Sequence, residues 1–286
     1  MATLKEVQQR IVGVQKTQKI TRAMKIVAAT KLKKCERARK EAEQFSHKLE
    51  VILKNIIRYS YHPKHPLLED KPGTDKMGFV LIASDRGLCG AFNSNLFRKT
   101  KEILGEKGLF DKSVFASLGR RAGDFLKKEK KKSVFSEVNV EKLDQREAVG
   151  NLTKVLVDTY RKGEVDQWVI ISNRFLSRVN FGYTETPIIP LSFSFEGQRE
   201  DSLFKFEDDL EAVLDFMIPR YIGDLINALI VESQNVEEFS RMMAMDYATE
   251  NANELIGELT LHYNRTRQQV ITTELTEIVG GAEALK

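Results

Sequence analysis

The first sixty residues carry apolar side chains at alternating intervals of three and four positions. Counting in this way from Leu4 to Ile56 gives sixteen positions, and eleven of them are apolar. A stripe of this kind, sustained over about seven heptads, predicts one long helix with a coiled-coil seam. Thr3 and Glu6 form a capping-box pair at its start, and the prolines that follow His62 predict its end near Ser60. A helix of roughly 85 Å cannot bury its stripe alone, so the pattern also predicts a partner helix.

The other end of the chain supplies that partner. Downstream of Pro219 the pattern predicts a second long helix, which ends at the glycine pair Gly280 and Gly281. Its predicted seam consists of Met245, Ala248, Ala252, Leu255, Leu259 and His262. Residues 16–40 hold ten basic side chains and one acidic one, whereas residues 232–258 hold seven acidic side chains and one basic one. Opposite charges beside a seam favour an antiparallel coiled coil of the two chain ends over two unrelated solvated helices.

Between the two helices the period of the pattern changes. Short apolar runs at 79–83, 114–118, 134–135 and 168–172 predict buried strands, and helical patterns at 95–104 and 147–161 lie between them. This alternation predicts a mostly parallel, Rossmann-like three-layer α/β domain. Residues 179–184 and 188–195 predict an added hairpin at the sheet edge. We therefore expect three segments: a helix over 1–62, an α/β domain over 74–198 and a helix over 207–286.

Composition excludes several classes of protein. The chain has 286 residues, is 42% apolar and carries a net charge of +4, which does not favour a nucleic-acid-binding protein. Two cysteines cannot form a disulfide scaffold or a four-cysteine zinc site. No apolar run approaches the ~20 residues of a membrane span, and the start lacks an apolar signal core. We expect a soluble intracellular protein.

The segment after the first predicted strand is the sharpest local motif; it comprises Ser84, Asp85, Arg86, Gly87, Leu88, Cys89 and Gly90. Its position is one where α/β folds bind ligands, so a phosphate-binding loop is one interpretation. The glycine spacing matches neither common nucleotide motif, and a tight strand-to-helix turn is the preferred alternative.

Three other candidates carry less weight. Cys89 lies near a predicted helix start, as a nucleophile would, but none of the four histidines is near it in sequence. The His62-x-x-His65 pair has no cysteine or acidic residue at metal-ligand spacing. The lysine-rich run 127–132 lacks the interleaved aromatic residues of a nucleic-acid site, so a solvated helix end is favoured.

Polar residues interrupt both predicted helices at positions that packing alone would not select. The first seam breaks at Gln18, Thr21 and Lys25, and the last helix becomes polar from Arg265 to Thr273. In an antiparallel pair these stretches lie towards the same tip. A slender polar tip suggests insertion into another protein, which indicates an interaction module rather than an enzyme.

Three segments resemble the gamma subunit of F-type ATP synthases. They are residues 18–31 (QKITRAMKIVAATK), 84–93 (SDRGLCGAFN) and 271–282 (ITTELTEIVGGA), in the family's order and spread over the whole chain. The resemblance implies a central-stalk rotor whose helix pair turns inside a hexamer of alpha and beta subunits. Its foot would join the epsilon subunit and the membrane ring of c subunits.

The same resemblance implies that this chain couples rotation of the c ring to ATP synthesis or hydrolysis and is itself non-catalytic. ATP would be made in the beta subunits, so no catalytic residue, cofactor, metal or nucleic acid is expected on this chain. It would lie peripherally on the cytoplasmic face of the bacterial inner membrane. The redox-regulatory cysteine pair of the chloroplast form is absent, since Cys89 is the only cysteine after Cys35.

Site residues follow from the resemblance by position. The expected contact and coupling residues toward the beta subunits are Met24, Lys25, Arg241, Arg267, Gln268, Thr272, Glu274, Thr276 and Glu277. The expected foot residues toward the c ring, on a looser match, are Phe204, Phe206 and Glu207.

Overall fold

The computed structural model describes residues 3–59, 65–69, 76–139, 145–177, 180–193 and 210–284. In chain order its elements are α1 (Leu4–Tyr59), β1 (Met77–Ile82), α2 (Phe92–Glu106), β2 (Val114–Leu118), α3 (Arg120–Lys128), β3 (Ser133–Glu137), α4 (Gln145–Arg161), β4 (Gln167–Phe175), β5 (Phe181–Ile189) and α5 (Leu210–Ala284). They form two compact units. The helical unit comprises Met1–Thr30 and Arg241–Lys286, and the α/β unit comprises Lys31–Ser240.

The four predicted segment boundaries, at 62, 74, 198 and 207, lie outside the described residues and stay predictions. Among the helices of the described residues, none combines the length and the apolarity that a membrane span requires.

Helix α1 confirms the predicted seam. The capping box forms at its start: the Thr3 N–H donates to Glu6 Oε2 at 2.9 Å, and the Glu6 N–H donates to Thr3 Oγ1 at 3.4 Å. All sixteen predicted seam positions, from Leu4 to Ile56, are buried or partly buried. The spacing of apolar residues therefore identified the correct face of the helix over its whole length.

Helix α5 passes both local signals that were expected to limit it, Pro219 and the glycine pair, and stays within the predicted segment 207–286. It begins at Leu210, nine residues before Pro219, and continues through Gly280 and Gly281 to Ala284. Proline inside a helix costs about 3 kcal/mol. The buried side chains of Leu214, Ile218 and Ile222 surround this turn. Each such side chain contributes about 1.5–3 kcal/mol, so burial outweighs the lost hydrogen bond. The glycine pair permits a helix end but does not impose one.

The predicted seam of α5 is wrong at two positions. Leu255 and His262 are exposed, while Ile256 and Tyr263 are partly buried. The seam leaves Ala252 by a step of four residues, whereas the prediction took a step of three. Leu255 and Ile256 are both apolar and stand within one turn of Ala252, so the sequence alone did not show which of them faces α1.

The central sheet has the strand order β3-β2-β1-β4-β5. β3, β2, β1 and β4 are parallel, and β5 runs antiparallel to β4 at one edge. Both faces of the central strands are buried. Phe79, Leu81 and Phe115 pack on the side of α2 and α3, while Val80, Trp168 and Ile170 pack on the side of α4. This arrangement confirms the Rossmann-like three-layer domain.

The predicted hairpin over 179–184 and 188–195 is wrong. A single strand, β5, spans Phe181–Ile189 and pairs with β4 itself. Pro187 falls between the two predicted strands. In the structure it lies at a bulge on the single edge strand, where Trp168 pairs with Ile189 and Val169 pairs with Pro187. An edge strand tolerates proline because one side of its backbone needs no partner in the sheet.

Helices α1 and α5 also cover the sheet within the α/β unit. Leu53 of α1 and Leu214 and Ile222 of α5 belong to the same buried cluster as Val80 and Trp168. Parts of α1 and α5 therefore cover one face of the sheet in the α/β unit.

Gly119 provides a test of the backbone path after β2. Its φ is +90°, and a Cβ added there would lie 2.0 Å from the carbonyl oxygen of Ala83. We expect Gly119→Ala to lower the free energy of unfolding by about 3 kcal/mol or more, since it combines backbone strain with a backbone clash. Urea unfolding followed by the fluorescence of Trp168, the only tryptophan, measures this.

The matched control is Gly105→Ala in α2, where an added Cβ meets nothing within 4 Å. Alanine is the better helix former, so this change should be neutral or stabilising by up to about 1 kcal/mol. Equal stability of the two variants would contradict the described path of Gly119.

A buried histidine generates a prediction about pH. The Leu67 N–H donates to His65 Nδ1 at 3.2 Å, so His65 Nε2 carries the proton and donates to Asp215 Oδ1 at 3.2 Å. This hydrogen bond lowers the pKa of Asp215, desolvation opposes the shift, and Arg161, 2.7 Å away, lowers the pKa further. A lowered folded pKa stabilises the protein above the ordinary pKa near 3.8 and loses that effect as pH falls through the folded value.

We therefore expect Asp215→Asn to destabilise the protein at pH 7 and the difference from the parent chain to shrink below pH 3.8. Unfolding free energies measured from pH 7 to pH 3 test this. Asp124→Asn, at an exposed site of α3, is the control and should cost little at pH 7. A difference for Asp215→Asn that grows on acidification would contradict the assignment.

Candidate functional site: the helix pair and the loop after β1

Three polar pairs bridge α1 and α5 in the helical unit. The Gln18 amide donates to the Asn253 amide oxygen, Thr21 Oγ1 lies 2.8 Å from Thr249 Oγ1, and Lys25 Nζ lies 2.5 Å from Asp246 Oδ1. Residue numbers rise along α1 as they fall along α5, which confirms the predicted antiparallel pairing. The polar residues that interrupt the first seam therefore bond across it to the partner helix.

Beyond these pairs α5 continues without α1 beside it. Extending the register of the three pairs puts Leu4, the first residue of α1, opposite Arg267. From Arg267 to Ala282 every side chain is exposed. We call residues 267–282 the free segment of α5.

The free segment contains six of the nine residues predicted to meet the beta subunits: Arg267, Gln268, Thr272, Glu274, Thr276 and Glu277. On a helix with 3.6 residues per turn, Gln268, Thr272 and Thr276 share one face, and the charged members share the opposite one. The hydroxyls of Thr272 and Thr276 donate to the carbonyl oxygens one turn earlier, each at 2.8 Å. The segment thus presents an amide on one side and separated charges on the other.

An exposed apolar stripe, which was not predicted from the sequence, runs along the same segment. Ile271, Leu275 and Ile278 follow one another at steps of four and three residues, and Leu275 is 57% exposed. Contiguous exposed apolar side chains mark a surface for another protein. The same spacing rule that found the seam of α1 could have found this stripe, had the limit of α1 been known.

The other predicted site residues lie elsewhere. Met24 and Lys25 lie in the paired part of α1 and are partly buried, and Arg241 is only 8% exposed. Phe204, Phe206 and Glu207 lie outside the described residues. The structure therefore gathers the C-terminal candidates on one surface and separates them from Met24, Lys25 and Arg241.

The loop after β1 bonds to its own surroundings. Ser84 Oγ donates to the Arg86 carbonyl oxygen at 2.6 Å, and Asn93 Nδ2 donates to Ser84 Oγ at 2.7 Å. Asp85 Oδ1 accepts the backbone N–H groups of Arg120 and Asn139, each at 2.9 Å. These bonds tie the end of β1 to the start of α3 and the end of β3, as a tight turn would.

Helix α5 covers the strand ends where an α/β fold would bind a ligand. Ile230, Ser233, Gln234 and Glu237 of α5 line a narrow gap together with Ala83, Asp85 and Leu118 at the carboxyl ends of β1 and β2. Ser240 Oγ donates to the Cys89 carbonyl oxygen at 2.7 Å. The usual ligand position of the fold is therefore taken by the chain itself, which disfavours a nucleotide loop.

Cys89 and the histidine motif also have structural roles. Cys89 is buried against Phe92 and Val236, and its sulfur lies 3.2 Å from Asn93 Nδ2. Burial of this kind hinders attack on a substrate. His65 uses both ring nitrogens in the bonds described above. Within the described ranges, no group of three or more His, Cys, Asp and Glu side chains is placed to hold a metal ion.

Comparisons with known proteins identify the family. A family model described as ATP synthase matches residues 3–285. The ATP synthase gamma chain of Symbiobacterium thermophilum is 37% identical over 99% of this chain and 98% of its own length. That of Halothermothrix orenii is 35% identical over the whole of both chains.

Solved structures support the fold. A chain of the Euglena gracilis mitochondrial ATP synthase, from a structure of OSCP, F1 and c-ring, matches with a TM-score of 0.67 at 20% identity. The match covers 99% of this chain and 94% of that one. A chain of the Tetrahymena thermophila central stalk and c-ring matches with a TM-score of 0.60 at 21% identity, over 80% of this chain and 99% of that one. The protein therefore belongs to the ATP synthase gamma chain family.

Proposed function

We propose that this chain is the central-stalk rotor subunit of a proton-translocating F-type ATP synthase. It couples rotation of the membrane c ring to ATP synthesis or hydrolysis at sites on the beta subunits. One observation carries the proposal. In this chain of the family, α1 and α5 pair as antiparallel helices, and α5 continues beyond α1 as the free segment, whose side chains are all exposed. A surface of that kind suits insertion into a surrounding protein.

The helix pair has the mechanical properties that a shaft needs. Helix α1 contains no proline from Leu4 to Tyr59, and the one proline of α5, Pro219, lies in the α/β unit rather than in the helical unit. Uninterrupted helices keep their hydrogen-bond ladder and resist bending. Cross-helix pairs such as Lys25 with Asp246 join the two helices, so they turn together.

The free segment suits a contact that changes as the shaft turns. A ligand or subunit shifts an equilibrium only as far as it binds the alternative states differently. The free segment presents an amide and hydroxyl face, a charged face and an apolar stripe at different angles around one helix. Each beta subunit of a surrounding hexamer therefore meets a different surface at each angle of rotation. This asymmetry can change the affinity of the nucleotide site on that beta subunit.

The remaining assignments complete the proposal. The alpha and beta subunits surround the helical unit, and Phe204, Phe206 and Glu207 lie in the foot that meets the epsilon subunit and the c ring. The chain itself supplies no catalytic group, because the chemistry belongs to the beta subunits. It works at the cytoplasmic face of the bacterial inner membrane, as a peripheral subunit.

Arg267 and Gln268 test the proposed coupling surface. We expect Arg267→Ala and Gln268→Ala each to cause a severalfold loss of ATP turnover in the assembled complex, because each removes polar contacts to a beta subunit. Stability of the chain should change by no more than about 0.5 kcal/mol, since both side chains are exposed. Turnover of the reconstituted complex and circular dichroism of the purified chain are the measurements.

The control is Asn264→Ala, an exposed polar position of α5 one turn before the free segment. It should leave turnover close to that of the parent complex. Unchanged turnover in both the Arg267 and the Gln268 variants would overturn the assignment of this surface.

A further inference from the structure

Three consecutive seam positions of α1 in the helical unit carry polar rather than apolar side chains, and each bonds to a polar side chain beside the apolar seam of α5. The pairs Gln18–Asn253, Thr21–Thr249 and Lys25–Asp246 follow one another at steps of three and four residues on both helices. Apolar seam positions flank them on α1, with Val14, partly buried, before them and Ala28, buried, after them. We call these three pairs the polar layers.

We propose that the polar layers fix the register of α1 against α5 and thereby set how far the free segment of α5 extends beyond α1. On this proposal Lys25 and Asp246 are positioning residues. They act on the beta subunits through the placement of Arg267 and Gln268. The functional half of this inference rests on the proposed rotor function, whereas the structural half does not.

Apolar packing in this part of the seam specifies the register weakly. Ala28 and Ala252 are small, the buried Met245 is flexible, and apolar contacts have no direction of their own. The opposite charges of residues 16–40 and 232–258 attract the two helices to each other. These charges extend over several turns, so the attraction persists after a slip, that is, a shift of one helix along the other. Directional polar pairs in a seam are the established means of choosing one register among several.

The ion pair is the pair most sensitive to a slip. A slip of one heptad in one direction puts Lys25 opposite Asn253, and a slip in the other direction puts Asp246 opposite Gln18. The ion pair is lost in both cases. The side chains of Lys25 and Asp246 are 40% and 43% exposed. Pairs this exposed add little net stability, so this pair selects a register only together with the neighbouring polar layers, since the same slip also separates Thr21 from Thr249.

A slip has a direct consequence at the far end of the helix. Seven residues of helix span about 10 Å. One slipped heptad therefore moves Arg267 and Gln268 by that distance along the axis relative to the start of α1. A displacement of this size is far larger than the reach of a hydrogen bond.

The first experiment measures the register directly. Spin labels are attached to Lys5→Cys and Glu250→Cys, both at exposed positions, in the full chain with Cys35→Ser and Cys89→Ser. We expect Asp246→Lys to shift or split the distance distribution by about 10 Å, because a slip relieves the repulsion between two lysines. Lys25→Asp combined with Asp246→Lys should restore the parent distance, because it restores an ion pair of reversed polarity.

The matched control is Glu43→Lys, which converts another ion pair, with Arg39 at 3.0 Å, into a repulsive one. That pair lies within α1 alone, so the distance should not change. An unchanged distance in the Asp246→Lys variant, or no restoration in the double variant, would overturn the inference whatever the chain's function.

The second experiment measures ATP turnover of the assembled complex with the same variants. We expect a severalfold loss for Asp246→Lys, recovery in the double variant and no loss for Glu43→Lys. A loss of folding would broaden the distance distribution of the first experiment rather than shift it by about 10 Å. A shifted distance with unchanged turnover would support the register role and contradict the proposed function, so the two failures are distinguishable.

Discussion

The contact between the first and the last helix is the interaction on which the helical unit depends. A helix as long as α1 exposes an apolar stripe that water disfavours along its whole length, and isolated helices gain little stability of their own. Pairing buries the part of that stripe that lies in the helical unit, where every seam position from Leu4 to Ala28 is at least partly buried. Because the partner of α1 is α5, the helical unit forms only when the first and the last helix of the chain pair with each other. The part of α5 that has no partner among the described residues, 267–282, is then exposed and available to another protein.

In the α/β unit, the same two helices change the use of a common fold. A parallel sheet with this strand order normally offers the carboxyl ends of its strands to a ligand. Here α5 covers those ends, and Ser240 bonds to the backbone of Cys89 there. Polar groups of loop 84–90 form hydrogen bonds within the α/β unit. For example, Asp85 accepts the backbone N–H groups of Arg120 and Asn139. The strand ends thus hold the sheet against α5 instead of holding a ligand.

Sequence patterns predicted those parts of the fold that depend on local spacing. The seam of α1, strand β2 at its observed limits and the antiparallel pairing all followed from periodicity and charge. The errors arose where tertiary packing overrides local preference: burial carries α5 through Pro219, and a bulge accommodates Pro187 in β5. The site residues came from resemblance rather than from physics, because exposed polar side chains leave no trace in a pattern of burial. The role of Lys25 depends on facing Asp246, more than two hundred residues away, and no local pattern contains that pairing.

The central claim, that this chain turns within an ATP-hydrolysing complex, is best tested by watching it move. A bead would be attached to the exposed position Lys112→Cys in a chain with Cys35→Ser and Cys89→Ser, with the surrounding hexamer fixed to a surface. The account predicts that the bead rotates in one direction while ATP is hydrolysed and stops when ATP is removed. A complex that hydrolyses ATP at its full rate while the bead stays at one angle would contradict it.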